Sequence, residues 1–429
     1  MEIFTGIIGI VLFLAIAFVM SNNKKHINYK TVGVGLLLQI LLAVFILKVP
    51  VGVKIFGFIA ELVNQILDSS MDGATFVFGW LCGCPQTVKE LFPSHTFIYA
   101  IMLIATMIFI MSLVNILYYY GIMQRVILFL GKIMNKLMDV SGAEALSNCA
   151  SPFVGNVAAQ SMIKPYLPNL TRSEMLSSMS GSTACLSGGA LAMYAGFGIP
   201  VEYLLAASVM AAPGAFVISK IMCPETDIPQ TKDNFKISRR KTDANVLAAI
   251  SKGASDGMKV SLNVIAMLIA LVALISFCNY ILGSLGLFLV KSFAWDWSGI
   301  GIDLNHLTIE MLVGKVFAVF AAAMGTTWGN IEQVGTLIGQ KFIINETVSY
   351  LDMKVMMEMS SLTPKSIAIA TFALAGFANL STVAIQIGGI GELAPSQRKN
   401  LARLGVKALI CGTLTSYVSA CIAGIVVSL

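Results

Sequence analysis

Long apolar runs separated by short polar loops form the dominant pattern along this chain. Eight of these runs predict membrane-spanning helices, because a helix of about 20 apolar residues crosses ~30 Å of hydrocarbon. They lie at residues 3–20, 31–50, 95–119, 174–194, 201–222, 258–285, 366–391 and 404–428. Amphipathic stretches at 52–67, 121–138 and 244–257 predict helices at the membrane surface.

Two further apolar segments, 144–164 and 326–345, are broken in the middle by a Gly-Asn pair. Gly155-Asn156 interrupts the first segment and Gly329-Asn330 the second, and glycine tolerates the unwound backbone that such a break needs. In a bilayer, irregular backbone survives only where it is buried in protein or lines a cavity. Two broken segments in corresponding halves of a chain indicate a solute site near the midplane. The pattern predicts a transporter with two re-entrant hairpins in inverted repeats.

Composition supports an all-α, polytopic membrane protein. The chain is 57% hydrophobic and 12% charged, whereas soluble domains carry about 25% charged residues. The net charge of +6 does not indicate nucleic-acid binding, since the basic residues gather in loops. The cysteines and histidines show no zinc-site or catalytic spacing. We therefore expect neither enzyme activity nor a cofactor.

The distribution of Lys and Arg predicts orientation, because these residues favour the cytoplasmic side. Eight spans and two re-entrant hairpins place every basic loop on one side, with both termini facing outward. The polar linker 223–243 divides the chain into two halves. We expect N-terminal scaffold helices in 1–94, a gate region with the first hairpin in 95–195, and a C-terminal transporter region with the second hairpin in 196–429.

Polar residues inside the predicted spans mark candidate chemistry. Asn379 lies in mid-span and Glu332 in the second broken segment, and an intramembrane polar or ionisable residue is a functional candidate by default. The alternative for Asn379 is helix packing, and for Glu332 a shallow hairpin where the carboxylate meets water. Glu144, at a segment end, is expected to be solvated.

Two motifs give the chain a family resemblance. AAPGAFVISKIMCPET at 211–226 and GFANLSTVAIQIGGIGELAP at 376–395 resemble the concentrative nucleoside transporters. The resemblance implies a homotrimer in which a mobile transport domain moves against a scaffold in an elevator-like manner. It also implies cation-coupled import of nucleosides across the plasma membrane. Short loops are typical of a bacterial member.

The resemblance also assigns solute-binding positions, and several of them depart from the family pattern. The first hairpin reads Gly155-Asn156-Val157-Ala158 where the family has Gly-Gln-Thr-Glu, so the base-contacting residues correspond to Asn156, Val157 and Ala158. In the second hairpin, the ribose-binding Glu corresponds to Asn330. Losing both carboxylates should cost ribose recognition about 1–3 kcal/mol. The remaining solute contacts are Phe377, Asn379 and Thr382, with Glu332 added because it lies beside Asn330.

The family's sodium site is altered as well. Its side-chain ligands correspond to Ser151 and Cys185, and its carbonyl ligands to Val154 and Leu186. A hard cation prefers oxygen ligands, so a cysteine sulfur weakens a sodium site. These changes favour proton coupling over sodium, with Glu332 as the candidate proton carrier. Two alternatives remain open, a carrier of a non-nucleoside polar solute and a transporter-derived membrane receptor.

Overall fold

The computed structural model describes residues 2–81, 99–232, 244–293, 297 and 303–429, and these residues form α-helices without a strand. The start of the predicted third span, 95–98, and the basic residues of 233–243 lie outside the described residues. We number the helices in chain order: α1 Glu2–Val19, α2 Tyr29–Leu47, α3 Pro50–Phe78, α4 Tyr99–Tyr119, α5 Ile122–Met138, α6 Gly142–Val154, α7 Asn156–Met162, α8 Arg172–Ala184, α9 Gly188–Gly196, α10 Val201–Met222, α11 Val246–Phe293, α12 Ile309–Ala323, α13 Ile331–Ile343, α14 Glu346–Glu358, α15 Pro364–Leu374, α16 Leu380–Leu393 and α17 Arg398–Ser428.

Among the described residues, six helices are long and apolar enough to cross a membrane: α2, α3, α4, α10, α11 and the stretch Pro395–Ser428 that contains α17. Two of the segments predicted as separate surface helices are parts of longer helices. Residues 52–67 belong to α3, a 29-residue helix of spanning length and composition. Residues 244–257 form the first turns of the 48-residue α11 rather than a separate surface helix.

Two predicted continuous spans are each broken into half-helices. The run 174–194 forms α8 and α9, which are separated at Cys185–Ser187, and the run 366–391 forms α15 and α16, which are separated at Ala375–Asn379. Ser187 and Asn379 each cap the second half-helix by accepting a backbone N–H bond, from Ala190 and from Thr382. The residues on both sides of the second break are similarly apolar, so apolar periodicity does not reveal it. At the first break, α8 is rich in serine and less apolar than α9.

The breaks reveal two matching repeats. In the first repeat, α6 and α7 meet at Gly155 and are followed by the half-helices α8 and α9 and the long helix α10. In the second, α13 and α14 meet at Ile344–Asn345 and are followed by α15, α16 and α17. The long helices α10 and α17 pack against each other, α8 packs on both of them, and α15 packs on α17. The two repeats thus form one bundle with all four breaks inside it.

A second group of helices lies beside this bundle. Helix α11 packs along α4, where Gly253 and Gly257 fit against the α4 backbone, and α3 packs on α4 as well. Helices α1 and α2, which lie in the predicted scaffold region, instead pack on α17 and α10 of the bundle. The structure therefore separates a pair of long helices, α4 and α11, from a bundle that contains both repeats and the N-terminal helices.

One end of the bundle is held by a buried ion pair. The Lys220 ammonium on α10 lies 2.9 Å from the Glu144 carboxylate and donates to the Ser173 hydroxyl at 3.0 Å. Glu144 closes a capping box with Ser141 at the start of α6. The expectation that Glu144 is solvated is wrong, since it is 1% exposed. This pairing fixes the base of the first hairpin, whose tip enters the candidate site.

Candidate functional site

The first hairpin turns at Gly155, as the sequence predicts. Gly155 has φ +85°, a backbone conformation that L-residues with a side chain rarely adopt. A Cβ atom at this position would lie 3.3 Å from the Ser187 Cβ, at the break between α8 and α9. The hairpin tip therefore lies directly against the first pair of half-helices.

The second hairpin turns at a different place from the predicted Gly329-Asn330 pair. Residues 324–330 connect α12 and α13, and α13 continues to Ile343 before α14 begins at Glu346. A Cβ atom at Gly329 would meet no atom within 4 Å, and the glycine with positive φ in this loop is Gly325. By the repeat match, the hairpin equivalent to α6–α7 is α13–α14, with its tip at Ile344–Asn345.

The tip of this second hairpin carries a buried carboxylate. Glu346 is 6% exposed and accepts hydrogen bonds from the Asn379 amide at 2.9 Å and from the Tyr194 hydroxyl at 3.2 Å. Tyr194, on α9, stacks on Tyr350 of α14 with ring centroids 4.3 Å apart. A hairpin tip, a half-helix of the first repeat and a break of the second repeat thus meet at one acidic group.

Asn379 links this carboxylate to α16. Its side-chain oxygen accepts from the Thr382 backbone N–H at 2.9 Å and from the Thr382 hydroxyl at 3.0 Å, and the residue is 3% exposed. Phe377 lies half-buried two residues earlier. The predicted positions Phe377 and Asn379 lie in this break and Thr382 lies in the first turn of α16, and Asn379 contacts a glutamate, Glu346, that is not among the predicted site residues.

The predicted residues of the first hairpin approach the same helix further along. A Cβ atom at Gly389 would lie 2.6 Å from a Val157 methyl group. Gly389 follows Thr382 by seven residues, so both lie on one face of α16, about 10 Å apart along the axis. The buried Oδ1 of Asn156 has no hydrogen-bond partner among the described residues. Val157 thus contacts α16 about 10 Å along the helix axis from Thr382, which bonds Asn379 beside Glu346.

Asn330 and Glu332 lie away from the contact between Glu346 and Asn379. The Asn330 amide donates to the Ser361 carbonyl at 2.7 Å and its oxygen accepts from the Thr363 N–H at 3.0 Å, which ties it to the loop before α15. The Glu332 side chain is 73% exposed and pairs with Lys315. Both residues lie at the start of α13, about 18 Å from its other end near Glu346. The structure removes the reason for selecting Glu332 as a buried proton carrier or Asn330 as the ribose contact.

A cavity of about 1030 Å³ separates the first hairpin from α4 and α11. Val154 and Ala158 line it from the hairpin, Tyr118 and Asn115 from α4, and Asp256 from α11. Its volume suits a small-molecule pathway or site. The cavity lies between the repeat bundle and the α4–α11 pair.

The four predicted cation positions come together where α6 and α8 end. Ser151 is in the last turn of α6, Val154 is its final residue, and Cys185 and Leu186 directly follow α8. The Ser151 hydroxyl lies 3.2 Å from the Ser182 hydroxyl, so a second side-chain oxygen is present that the sequence comparison does not identify. Two helix C-termini direct partial negative charge to this point, which favours a cation.

Glu346 is absent from the predicted site because the predicted second hairpin has its break at Gly329-Asn330 and ends at 345, whereas the observed hairpin turns at Ile344–Asn345 and continues to Glu358. The signal is nevertheless present in the sequence. Asn345 has the preferred residue type for a helix N-cap and is followed by an acidic residue in the first turn, while Lys341 and Glu346 are charges within an apolar stretch. The structure places a buried carboxylate, that of Glu346, beside the predicted solute contact Asn379.

Broken half-helices that gather buried polar groups beside a cavity define this protein as a membrane solute carrier of the inverted-repeat type. Three family profiles match the chain: Na+ dependent nucleoside transporter N-terminus over residues 8–81, nucleoside recognition (gate) over 100–201, and Na+ dependent nucleoside transporter C-terminus over 203–424.

Relatives and solved structures agree with these matches. An uncharacterised transporter of Haemophilus influenzae is 41% identical over 100% of this chain and 99% of its own length. The nucleoside permease NupC of Helicobacter pylori is 34% identical over 99% and 98%. The structure of CNTnw in an inward-facing, substrate-bound state has a TM-score of 0.91 at 34% identity and covers 100% of this chain and 98% of that one.

The chain belongs to the concentrative nucleoside transporter family. It is accordingly a transporter and not an enzyme. The predicted all-helical fold with inverted repeats is confirmed by the similarity to CNTnw.

Proposed function

We propose that this protein imports nucleosides or nucleoside-like solutes across a bacterial plasma membrane in symport with a cation. The observation that carries the proposal is the buried Glu346–Asn379–Thr382 cluster, at the junction of hairpin tip and helix break. A carboxylate and an amide side by side suit the vicinal hydroxyls of a ribose, since charge-assisted hydrogen bonds are roughly twice as strong as neutral ones. Asn156, Val157 and Ala158, about 10 Å away along α16, would face the base.

For the coupling ion we favour sodium over the proton expected from the sequence. The hydroxyls of Ser151 and Ser182 lie 3.2 Å apart. Together with the predicted carbonyl ligands of Val154 and Leu186 they would supply four oxygens, which would offset the loss of an oxygen at Cys185. The family profile describes Na+ dependent transporters, and a rat relative 31% identical over 97% of this chain is a sodium/nucleoside cotransporter. The proton alternative loses support because Glu332 is exposed.

For the mechanism we propose an elevator-type movement within a homotrimer. The repeat bundle would move against α4 and α11, with the intervening cavity as the access route. Structures of CNTnw variants in outward-facing and intermediate states, with TM-scores of 0.90–0.92 to this chain, support a fold that adopts several such states. The trimer follows from the family resemblance, and the outward position of both termini from the Lys and Arg distribution.

A second candidate is a carrier of a different small polar solute. The apolar Val157 and Ala158 favour it, because they remove polar partners that a nucleobase edge would need. The membrane-receptor alternative would bind solute without moving it.

Counterflow in proteoliposomes separates these candidates. Labelled ribonucleosides, deoxynucleosides, free bases and small polar metabolites are compared under an inward sodium gradient, an inward proton gradient or neither. We expect ribonucleoside exchange that a sodium gradient accelerates. Exchange of a metabolite alone would establish the second candidate, and solute binding without any counterflow would establish a receptor.

A further inference from the structure

Lys341 is a buried cation on α13, near the tip of the second hairpin. It is 3% exposed, although burying an ammonium is costly unless it is paired and hydrogen-bonded. Its Nζ donates to the carbonyls of Ala373 at 2.9 Å and Ala375 at 3.2 Å. These carbonyls lie at the C-terminal end of the half-helix α15, where the helix dipole concentrates negative partial charge.

The contact of Lys341 with the end of α15 can be compared with the first repeat, because the helices of the two repeats correspond. In the first repeat, the cation positions lie where the C-terminal ends of α6 and α8 meet. In the second repeat, the equivalent helices are α13 and α15. Ser151 lies three residues before the end of α6 and Lys341 two residues before the end of α13, while Cys185 and Ala375 each directly follow their half-helix.

The two repeats differ in what satisfies these helix ends. In the second repeat, side chains donate to the end of α15: Lys341 to Ala373 and Ala375, Ser416 to Ala375 at 2.6 Å, and Tyr350 to Thr371 at 2.9 Å. In the described part of the first repeat, no side chain donates to the carbonyls of Val154, Cys185 or Leu186. At the residue that directly follows each half-helix, the Ala375 carbonyl thus accepts from two side chains, whereas the Cys185 carbonyl has no side-chain donor among the described residues and is available to a diffusible ion.

We infer that the Lys341 ammonium is a tethered cation that occupies, in the second repeat, the place of the coupling-ion site in the first. It holds the end of α13 against the end of α15 without an ion from solution. It also supplies a positive charge near the buried Glu346 carboxylate, five residues later at the same hairpin tip. Lys341 is thus a positioning residue for the solute site, and the pair of repeats uses one diffusible and one covalently attached cation.

Chemical rescue tests this role. Lys341→Ala removes three carbons and the ammonium, which n-propylammonium supplies from solution, whereas propan-1-ol has a similar size without the charge. The folded yield and the thermal midpoint of the purified protein are measured alongside counterflow. These two readouts do not depend on the proposed transport function, whereas the counterflow readout rests on it. Lys315→Ala is the matched control, since Lys315 is only partly buried and pairs with the exposed Glu332.

We expect Lys341→Ala to lose at least tenfold in counterflow and to unfold at a lower temperature. Propylammonium should restore the folded yield, the midpoint or at least a fifth of the counterflow, and propan-1-ol should not. Neither additive should change Lys315→Ala. Equal effects of amine and alcohol on Lys341→Ala in every readout would overturn the inference, as would wild-type stability and counterflow in Lys341→Met, which keeps the apolar stem without the charge.

Discussion

At the residue scale, two glutamates on the second hairpin illustrate how burial determines chemical role. Glu332 and Glu346 lie 14 positions apart and are the same residue type, but one is exposed beside Lys315 and the other is enclosed by Tyr194 and Asn379. A carboxylate in water already has its hydrogen bonds satisfied, whereas a buried one gains from a polar solute. Glu346 is therefore the better candidate for solute recognition.

Glu346→Gln and Glu332→Gln form a matched pair that tests this assignment. Replacing a charged acceptor costs about 1.5–3 kcal/mol, so we expect Glu346→Gln to weaken ribonucleoside exchange roughly 10- to 150-fold. The variant should still assemble, because glutamine retains the size and one carbonyl oxygen. Glu332→Gln should exchange solute like the wild type. Counterflow of purified, reconstituted variants measures both, and a large loss in Glu332→Gln with none in Glu346→Gln would reverse the assignment.

At the scale of the elements, the contact between the α8–α9 break and the α15–α16 break positions the site. Gly376 has φ +97°, and a Cβ atom there would lie 2.5 Å from the Ala184 carbonyl oxygen at the end of α8. The breaks of the first and second repeats therefore touch backbone to backbone. Glycine is needed at this point for both its conformation and its lack of a side chain.

Gly376→Ala is expected to destabilise the protein and abolish transport. The positive φ alone costs about 1–2 kcal/mol for a residue with a Cβ, and the carbonyl of Ala184 must also move. Thermal unfolding of the purified protein and counterflow report the effect. Gly329→Ala is the matched control, since its Cβ would meet no atom within 4 Å, and it should behave as wild type. A harmless Gly376→Ala would show that the crossing breaks tolerate displacement.

At the scale of the whole molecule, the packing separates a bundle that carries the site from the α4–α11 pair. The bundle and the α4–α11 pair approach each other closely at α9, where a Cβ atom at Gly189 would lie 3.2 Å from the Met107 methyl group on α4. If the bundle moves during transport, this contact must break. A contact within the α4–α11 pair, such as the Ser112 hydroxyl on the Ile250 carbonyl at 3.3 Å, should persist.

Cross-linking distinguishes moving from static contacts. In a cysteine-depleted background with confirmed uptake, a short reversible cross-link between Met107→Cys and Gly189→Cys should stop counterflow, and reduction should restore it. A cross-link between Ser112→Cys and Ile250→Cys should leave counterflow intact. Full counterflow with the first pair quantitatively cross-linked would contradict the elevator-type movement.

The chain's apolar pattern by itself determined the class of protein, since helix-length hydrophobic runs have one stable solution in a bilayer. It also located the first hairpin, because Gly155 supplies the backbone freedom that the turn needs. Residues 376–395 and 211–226 further identified the family. These features are local, so they can be read from neighbouring residues.

Only the tertiary structure decided which polar residues meet. Glu346 contacts Asn379 and Tyr194, which are 33 and 152 residues away in the chain, and Lys341 binds carbonyls of a half-helix whose end the apolar pattern conceals. The break between α15 and α16 is stabilised by buried polar groups from other helices, since Lys341 and Ser416 donate to the backbone carbonyls freed there. Such compensation comes from distant segments, and hydrophobic periodicity carries no information about it.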